Sequence, residues 1–372
     1  MSAKLPSVLH IHFWADIRNS TGSVEKVITA FASHGQRYRH LIACCPGEGK
    51  TAAPFEHQGV AVYPFRESVR INRVLNKMLG LNAFTYADLV RQINQLRPDV
   101  LHFHNRQELV DAIVSRLAYR PAVVVHYHRH FAQPVVPKKL DRLLFISRRT
   151  ADDILGKSAS QAPYSIVCNP LSLEVLARAE SALAKPVSNR LPVILFGGGG
   201  NPIKGGQELI KAYAALPEGS ARLILAGRNV EKLPGLPHAG IEVLGEVAAP
   251  QFFDLMLAAD MVTMPSYDEP FGLIAQEAML LRKLLVVSSS GGLAEFTGPD
   301  CAVIIEPQDV MSLRRGLEAA LNLLKAPEAL QEKLDQASQR VAAFFPAVVA
   351  GQLESVYDAA RNTVLAGESS HV

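Results

Sequence analysis

Two glutamates, Glu269 and Glu277, lie eight positions apart and enclose a Pro-Phe-Gly segment whose residue types suit the binding of an anion. Pro270 is typical of the first position of a helix, where the missing N–H of proline costs nothing. Three N–H groups would then be free at the positive end of the helix dipole, those of Phe271, Gly272 and Leu273. The two carboxylates would be about 12 Å apart along such a helix, roughly the distance from a sugar to the ribose of its nucleotide. The alternative is a capped surface helix with two solvated glutamates.

A second candidate anion site follows an apolar run at residues 193–196. Four glycines at 197–200 and Asn201 precede Lys204, and a helical pattern begins after them. Because lysine presents a compact cation suited to phosphate, we interpret Lys204 as a phosphate ligand rather than a solvated loop lysine. The N–H groups of the glycine run, with Gly199 at its centre, and Asn201 are expected to add to this site.

Three histidines are crowded into residues 125–130, directly after a predicted strand: His126, His128 and His130. Such spacing can indicate a metal site, but neither cysteine nor carboxylate accompanies it, and a strand directs only alternate residues to one face. We therefore interpret the segment as the lining of a binding cleft. Because the sequence has no D-x-D motif, we expect no metal-bound diphosphate and no metal cofactor.

Short apolar runs alternate with helical patterns along the chain, as expected for parallel sheets with helical crossovers. The first set lies at residues 7–14, 40–45, 61–63, 100–103, 122–126, 143–146 and 165–167. After a break near 169–191, the second set lies at 193–196, 222–226, 241–244, 261–264, 284–288 and 302–305. The predicted fold class is α/β, with two Rossmann-like, doubly wound domains facing each other across a cleft and ligands at the carboxyl ends of the strands.

The net charge of +3 conceals a basic first half and an acidic second half. Residues 1–170 carry a balance of +10 and residues 171–372 a balance of −7. A basic half indicates an anionic partner or simply a soluble surface. Within residues 66–78, Arg66, Arg70, Arg73 and Lys77 keep helical spacing beside an apolar stripe, which is typical of a membrane-surface helix or of an ordinary solvated one.

No run is long and apolar enough to cross a bilayer, and the first residues lack the pattern of a signal peptide. The four cysteines form no C-x-x-C pair, as in reduced cytosolic proteins. We expect a cytoplasmic location, with peripheral contact at the inner face of an anionic cytoplasmic membrane through residues 66–78 as an option. No nucleic-acid partner is expected.

The segment from Glu269 to Glu277 resembles the E-x7-E motif of retaining glycosyltransferases with the GT-B fold, in particular glycosyltransferase family 4. The resemblance covers nearly the whole chain. Residues 259–260 resemble the family's A-D element, 290–295 its G-G-x-x-E turn, 99–104 its D-v-v-h-x-H segment and 167–170 its P-N element. It implies an acceptor domain at 1–168 with a returning C-terminal helix at 347–372, and a donor domain at 169–346.

By this resemblance Glu269 contacts hydroxyls of the transferred sugar, Glu277 binds the ribose, and Lys204 binds the diphosphate. A loop with Gly22 and Ser23 lines the cleft above the phosphates, unless it only caps a helix. One histidine contacts the donor sugar, and we favour His126 over His128. The expected donor-binding residues are Gly22, Ser23, Gly199, Asn201, Lys204, Glu269, Phe271, Gly272, Leu273 and Glu277. One departure is Gly199, where many family members have an arginine.

The resemblance implies a metal-independent hexosyltransferase that moves a sugar from a nucleotide-sugar donor with retention at the anomeric carbon. The acceptor would be a glycan or a lipid-linked molecule, in bacterial surface polysaccharide or lipopolysaccharide synthesis. Two alternatives stay open. One is a sugar-nucleotide epimerase or phosphorylase of the same fold, and the other is a non-catalytic subunit of a polysaccharide assembly complex.

Overall fold

The computed structural model describes residues 4–13, 16–18, 23–46, 53–66, 86–158, 160–181 and 190–369. The chain forms two compact units, Met1–Pro170 with Pro346–Val372, and Leu171–Phe345. The first boundary lies two residues after the predicted one, and the second lies one residue before it. Gly22 and nearly all of the basic stretch at 66–78 lie outside the described residues, so the expectations placed on them stay predictions.

The first unit is built on an eight-stranded sheet with the order β3-β4-β2-β1-β5-β6-β7-β8. Its strands are β1 Ser7–His12, β2 Arg39–Cys44, β3 Phe55–His57, β4 Val60–Pro64, β5 Val100–His104, β6 Ala122–Tyr127, β7 Arg142–Phe145 and β8 Tyr164–Ile166. Each pair of neighbours is parallel except β3 with β4. Its connecting helices include α1 Ser23–His34, α2 Ala87–Leu96, α3 Val110–Val114 and α4 Arg148–Ser158. Since β1 and β6 are buried along their whole length, both faces of the sheet are covered.

The second unit is built on a six-stranded, fully parallel sheet with the order β11-β10-β9-β12-β13-β14. Its strands are β9 Val193–Phe196, β10 Arg222–Ala226, β11 Ile241–Gly245, β12 Met261–Met264, β13 Leu284–Ser288 and β14 Val303–Ile305. Its helices are α5 Leu173–Ser181, α6 Gly206–Ala214, α7 Ala249–Ala258, α8 Leu273–Leu280, α9 Val310–Leu323 and α10 Pro327–Val341. The chain runs outward from β9 through β10 to β11 and then returns to pair β12 with β9. This is a topological switch point, where parallel sheets bind ligands.

The last helix, α11 Pro346–Ser369, belongs to the first unit. Leu353 and Tyr357 of α11 are buried in one apolar cluster with Val8 of β1 and Phe31 of α1. Within the described part of the chain, no helix is long and apolar enough to cross a membrane.

Each strand predicted from the apolar runs overlaps an observed strand. The prediction missed β3, because an antiparallel edge strand of three residues carries too short a pattern. It also placed Pro270 at the start of a helix, and this was wrong. Helix α8 begins at Leu273, with Gly272 in the left-handed region at φ 111° as its N-cap. Pro270 and Glu269 therefore lie in the preceding loop, and the 12 Å helical spacing does not apply to the two glutamates.

Candidate active site

Glu269 and Lys204 meet at the switch point of the second unit. Lys204 follows β9 and Glu269 follows β12, and these strands are neighbours. The Nζ of Lys204 donates to Oε2 of Glu269 at 2.6 Å. The Oγ of Ser266 donates to the same oxygen at 3.2 Å. Among the described residues, no hydrogen bond is formed to Oε1 of Glu269, so one carboxylate oxygen is held and the other can accept a ligand hydroxyl.

The loops that carry these two residues are joined through their backbones. Tyr267 N–H donates to the carbonyl of Ile203 at 2.8 Å. Gly205 has φ 73°, and a Cβ there would lie 2.1 Å from the carbonyl oxygen of Pro265. The close approach requires glycine, which gives a physical reason for the Lys-Gly sequence beyond the lysine itself.

A third loop supports Glu269 from the other side. Gly292 N–H donates to the carbonyl of Glu269 at 2.6 Å. Gly291 has φ 62°, and a Cβ there would lie 2.3 Å from that carbonyl oxygen. Ser288 and Ser290 both donate through Oγ to the carbonyl of Ser266, at 2.6 and 2.9 Å. The Gly-Gly turn after β13 thus fixes the position of the Glu269 backbone.

Glu277 lies in α8 and is 8% exposed, as is Glu269. Its Oε1 accepts a hydrogen bond from Ser172 Oγ at 3.3 Å. Ser172 Oγ also accepts from Val175 N–H at the start of α5. Sequence reasoning missed Ser172, because nothing in its local pattern distinguishes it from an ordinary helix cap.

The start of α8 carries three backbone N–H groups, which lie two to four residues after Glu269 in the chain. Gly272 is fixed by packing as well as by its φ angle, because a Cβ there would lie 2.4 Å from Leu293 Cδ2. The ring of Phe271 is buried and packs on Phe296 and Phe344, with centroids 5.2 and 5.7 Å away. Within the described residues no acceptor is recorded for the N–H groups of Phe271, Gly272 or Leu273. This arrangement suits an anion.

Two N–H groups of the glycine run, those of Gly199 and Gly200, are bonded within the second unit rather than free, contrary to our expectation. Gly199 N–H donates to the carbonyl of Ala226 at 3.1 Å, and Gly200 N–H donates to that of Arg228 at 2.9 Å. A Cβ at Gly199 would lie 2.7 Å from the Arg228 carbonyl oxygen, so no arginine fits there without a shift. Asn201 is exposed, and its Oδ1 accepts from Ile203 N–H, which makes it the cap of the short 3-10 helix Pro202–Lys204.

Three predicted residues of the first unit differ in how exposed their side chains are to solvent. His126 is fully buried, whereas His128 is 9% exposed. Exposure alone does not assign the sugar contact, so the preference for His126 over His128 stays a prediction. Ser23 is exposed at the first residue of α1.

Two family models match consecutive parts of the chain. The model for Glycosyltransferase Family 4 matches residues 22–175, and the model for Glycosyl transferases group 1 matches residues 180–339. Each match covers less than half of the chain, and the two matched ranges correspond closely to the two compact units.

The chain is also similar to characterised proteins. It is 26% identical over 281 residues to the MMP alpha-(1->4)-mannosyltransferase of Mycolicibacterium hassiacum, covering 70% of this chain and 64% of that protein. It is 31% identical over 212 residues to the D-inositol 3-phosphate glycosyltransferase of Corynebacterium glutamicum, covering 52% and 49%. The chain thus spans less than two thirds of either relative.

Among solved structures, Anabaena HepE in complex with UDP and glucose aligns with a TM-score of 0.68 at 19% identity, over 94% of this chain and 99% of that one. A likeness at this identity concerns the fold. Together with one parallel sheet and one sheet that is parallel except at its β3 edge, it confirms the predicted GT-B class of two Rossmann-like domains.

Proposed function

We propose that this chain is a retaining glycosyltransferase that takes its sugar from a nucleotide-sugar donor bound by the second unit. The observation that carries the proposal is the contact of Lys204 with Glu269, at 2.6 Å, at the switch point of the sheet. The family models and the glycosyltransferase relatives support the reaction type. HepE, of the same fold, was solved with UDP and glucose, which supports a nucleotide-sugar donor.

Each residue then has a distinct task. Lys204 exchanges its contact with Glu269 for the donor diphosphate, and the amides at the start of α8 share that charge. Glu269, released from the lysine, accepts hydrogen bonds from hydroxyls of the transferred sugar. Glu277, with Ser172 beside it, binds the ribose.

The leaving diphosphate develops negative charge in the transition state, and preorganised donors that meet this charge lower the barrier. The acceptor hydroxyl attacks from the face that the diphosphate leaves, and the diphosphate itself takes the proton. No metal is needed on the diphosphate, because a lysine and backbone N–H groups supply the positive potential.

The first unit is proposed to bind the acceptor, a glycan or a lipid-linked molecule in bacterial surface polysaccharide or lipopolysaccharide synthesis. Its excess of basic residues supports an anionic acceptor.

The test begins with the thermal stability of the full chain against a panel of nucleotide sugars, because a ligand that binds only the folded state raises the melting temperature. The donor that raises it is then incubated with lipid-linked acceptors, and the anomeric configuration of the product is read by NMR. We expect a product that keeps the donor's anomeric configuration. An inverted product, or conversion of the donor without any acceptor, would contradict the proposal, and the latter result would indicate an epimerase.

A further inference from the structure

Seven histidines are buried on one face of the sheet in the first unit, and one of them, His12, is paired with Glu25. The other six form a layer. They come from four neighbouring strands, in the order β2, β1, β5 and β6. They are His40, His10, His102, His104, His126 and His128, the last directly after β6, and they are 0–9% exposed. Because alternate residues of a strand share a face, the pairs 102/104 and 126/128 both point into the same layer.

Several ring nitrogens in this layer lack a partner. Within the described residues, three of these nitrogens have no partner in hydrogen-bond geometry: both nitrogens of His126 and Nδ1 of His128. Buried polar groups are normally bonded, and exceptions often mark the place of a water or an ion. An imidazole with two unsatisfied nitrogens destabilises an apolar core, and a bound ligand would remove this cost.

The rings of His104, His126 and His128 can meet at one point. Each offers one nitrogen, and the three nitrogens all lie within 4.8 Å of one another. The Nδ1 of His104 and the Nε2 of His128 are 2.9 Å apart. Two imidazoles bound to a tetrahedral zinc ion at ordinary Zn–N lengths would have their nitrogens about 3.3–3.4 Å apart. This pair therefore needs to open by only a few tenths of an ångström, and the nitrogen of His126, within 4.8 Å of both, completes the set by moving toward them.

The second nitrogen of a metal-bound histidine usually donates to a partner that orients the ring. The Nε2 of His104 lies 3.0 Å from Nδ1 of His10, whose Nε2 lies 2.9 Å from Nδ1 of His40. The Nε2 of His40 in turn lies 3.2 Å from the carboxylate of Glu354 on α11. If every Nε2 carries the proton, each ring donates to the next and the last donates to the carboxylate. This leaves Nδ1 of His104 without a proton, facing Nε2 of His128 at 2.9 Å.

We propose that His104, His126 and His128 bind a divalent transition metal, with Zn²⁺ as the ion that an all-imidazole set suits best. The group formed by His10, His102 and His104 is a second possible set. It is the weaker one, because His10 already uses its Nε2 toward His40 and only Nε2 of His102 lacks a partner there. The ion ties the ends of β5 and β6 together, and three protein ligands leave a fourth position for water.

The test uses the full-length, untagged chain after removal of metals by chelation. Zinc is titrated in competition with a chromophoric chelator, and bound zinc is counted by mass spectrometry after gel filtration. We expect about one zinc ion per chain and a rise in melting temperature. His126→Leu should abolish this binding, and His10→Gln should weaken it about 10–100-fold through the ring it orients. His238→Gln, at an exposed histidine of the second unit, is the matched control and should bind zinc like the wild type.

A measurement on the wild type protects the test against variants that fail to fold. X-ray absorption at the zinc edge should show three imidazole ligands, and the cobalt-substituted chain should lack thiolate-to-metal absorption. Binding of less than about a tenth of an equivalent would overturn the proposal. Wild-type affinity in His126→Leu, or thiolate absorption from the free cysteines, would overturn it as well.

Discussion

The ammonium group of Lys204 lies 2.6 Å from the carboxylate of Glu269, and each residue stands in the loop that follows one of two adjacent strands, β9 and β12. The lysine side chain is 28% exposed and the glutamate 11%. Because the pair is partly exposed, a ligand can reach it. In the absence of a ligand, each charge is neutralised by the other. In the proposed mechanism it is a resting state, which the donor opens by offering the lysine a diphosphate.

Replacement of Lys204 should weaken binding of the nucleoside diphosphate without affecting the stability of the fold. Lys204→Met should weaken binding of the selected nucleoside diphosphate at least ten-fold, about 1.4 kcal/mol, because a direct phosphate cation is lost. The melting temperature should change little, since partly exposed ion pairs contribute about 0–1 kcal/mol. Isothermal titration calorimetry measures the affinity, and Lys211→Met, at an exposed lysine of α6, is the control. Equal affinities in both variants would remove Lys204 from the diphosphate site.

The two glutamates should differ in which part of the donor they serve. Glu277→Gln should weaken binding of the nucleoside diphosphate, which contains the ribose. Glu269→Gln should leave that affinity nearly unchanged and lower the rate of sugar transfer by about 10–1000-fold, as for loss of a group that acts mainly in the transition state. Affinities and steady-state rates are compared with Glu328→Gln, at an exposed glutamate of α10. The assignment would fail if Glu269→Gln lost nucleoside diphosphate binding and Glu277→Gln kept it.

The strands could be predicted because buried parallel strands are short, nearly continuous apolar runs. The start of α8 could not be predicted, because proline occurs in loops before a helix as well as at the first helical position, and Pro270 lies in the loop. The packing of Gly291 on the Glu269 carbonyl was equally hidden, because a glycine in sequence does not reveal which backbone approaches it.

The histidine layer shows a different limit. In the sequence His126, His128 and His130 indicated no metal site, because neither cysteine nor carboxylate accompanies them and a strand directs only alternate residues to one face. The strand order places β5 beside β6 and β1 beside β5, so His104 and His10 join them from far away along the chain. Spacing along one strand carries no information about which strand pairs with it.

The Gly-Gly turn should be sensitive to a single methyl group. Gly291→Ala places a Cβ 2.3 Å from the Glu269 carbonyl oxygen at a φ of 62°, so the turn and Glu269 must move. We expect a loss of about 1–3 kcal/mol in stability, the usual size of such backbone strain, together with a large loss of transfer activity. Gly351→Ala in α11, where a Cβ meets nothing within 4 Å, should instead be neutral or slightly stabilising. Denaturant unfolding of both variants decides the point, and full activity in Gly291→Ala would show that the turn does not position Glu269.

The anchoring of α11 should depend on the charge of Glu354. This carboxylate is 2% exposed, and its Oε1 accepts from the N–H groups of Arg37 and Tyr38 at 2.9 and 3.1 Å and from His40. Burial alone would raise the pKa of Glu354, but these hydrogen bonds more than compensate, and the pKa lies below its ordinary value of 4.5. The ionised form is therefore favoured by folding.

Glu354→Gln should destabilise the first unit by about 1–3 kcal/mol at neutral pH, the cost of unmatched buried donors. Because the folded pKa is lowered, the wild-type advantage is complete above about pH 4.5 and is lost as the pH falls through the folded pKa. Hydrogen exchange of peptides from β1 and β2, corrected for the intrinsic pH effect, follows this unit separately from β12 and β13. Asp358→Asn, whose side chain is 42% exposed in its pair with Arg37, should change little at any pH. A difference between Glu354→Gln and wild type that stays constant as the pH falls through the folded pKa would mean that shape rather than charge holds α11 in place.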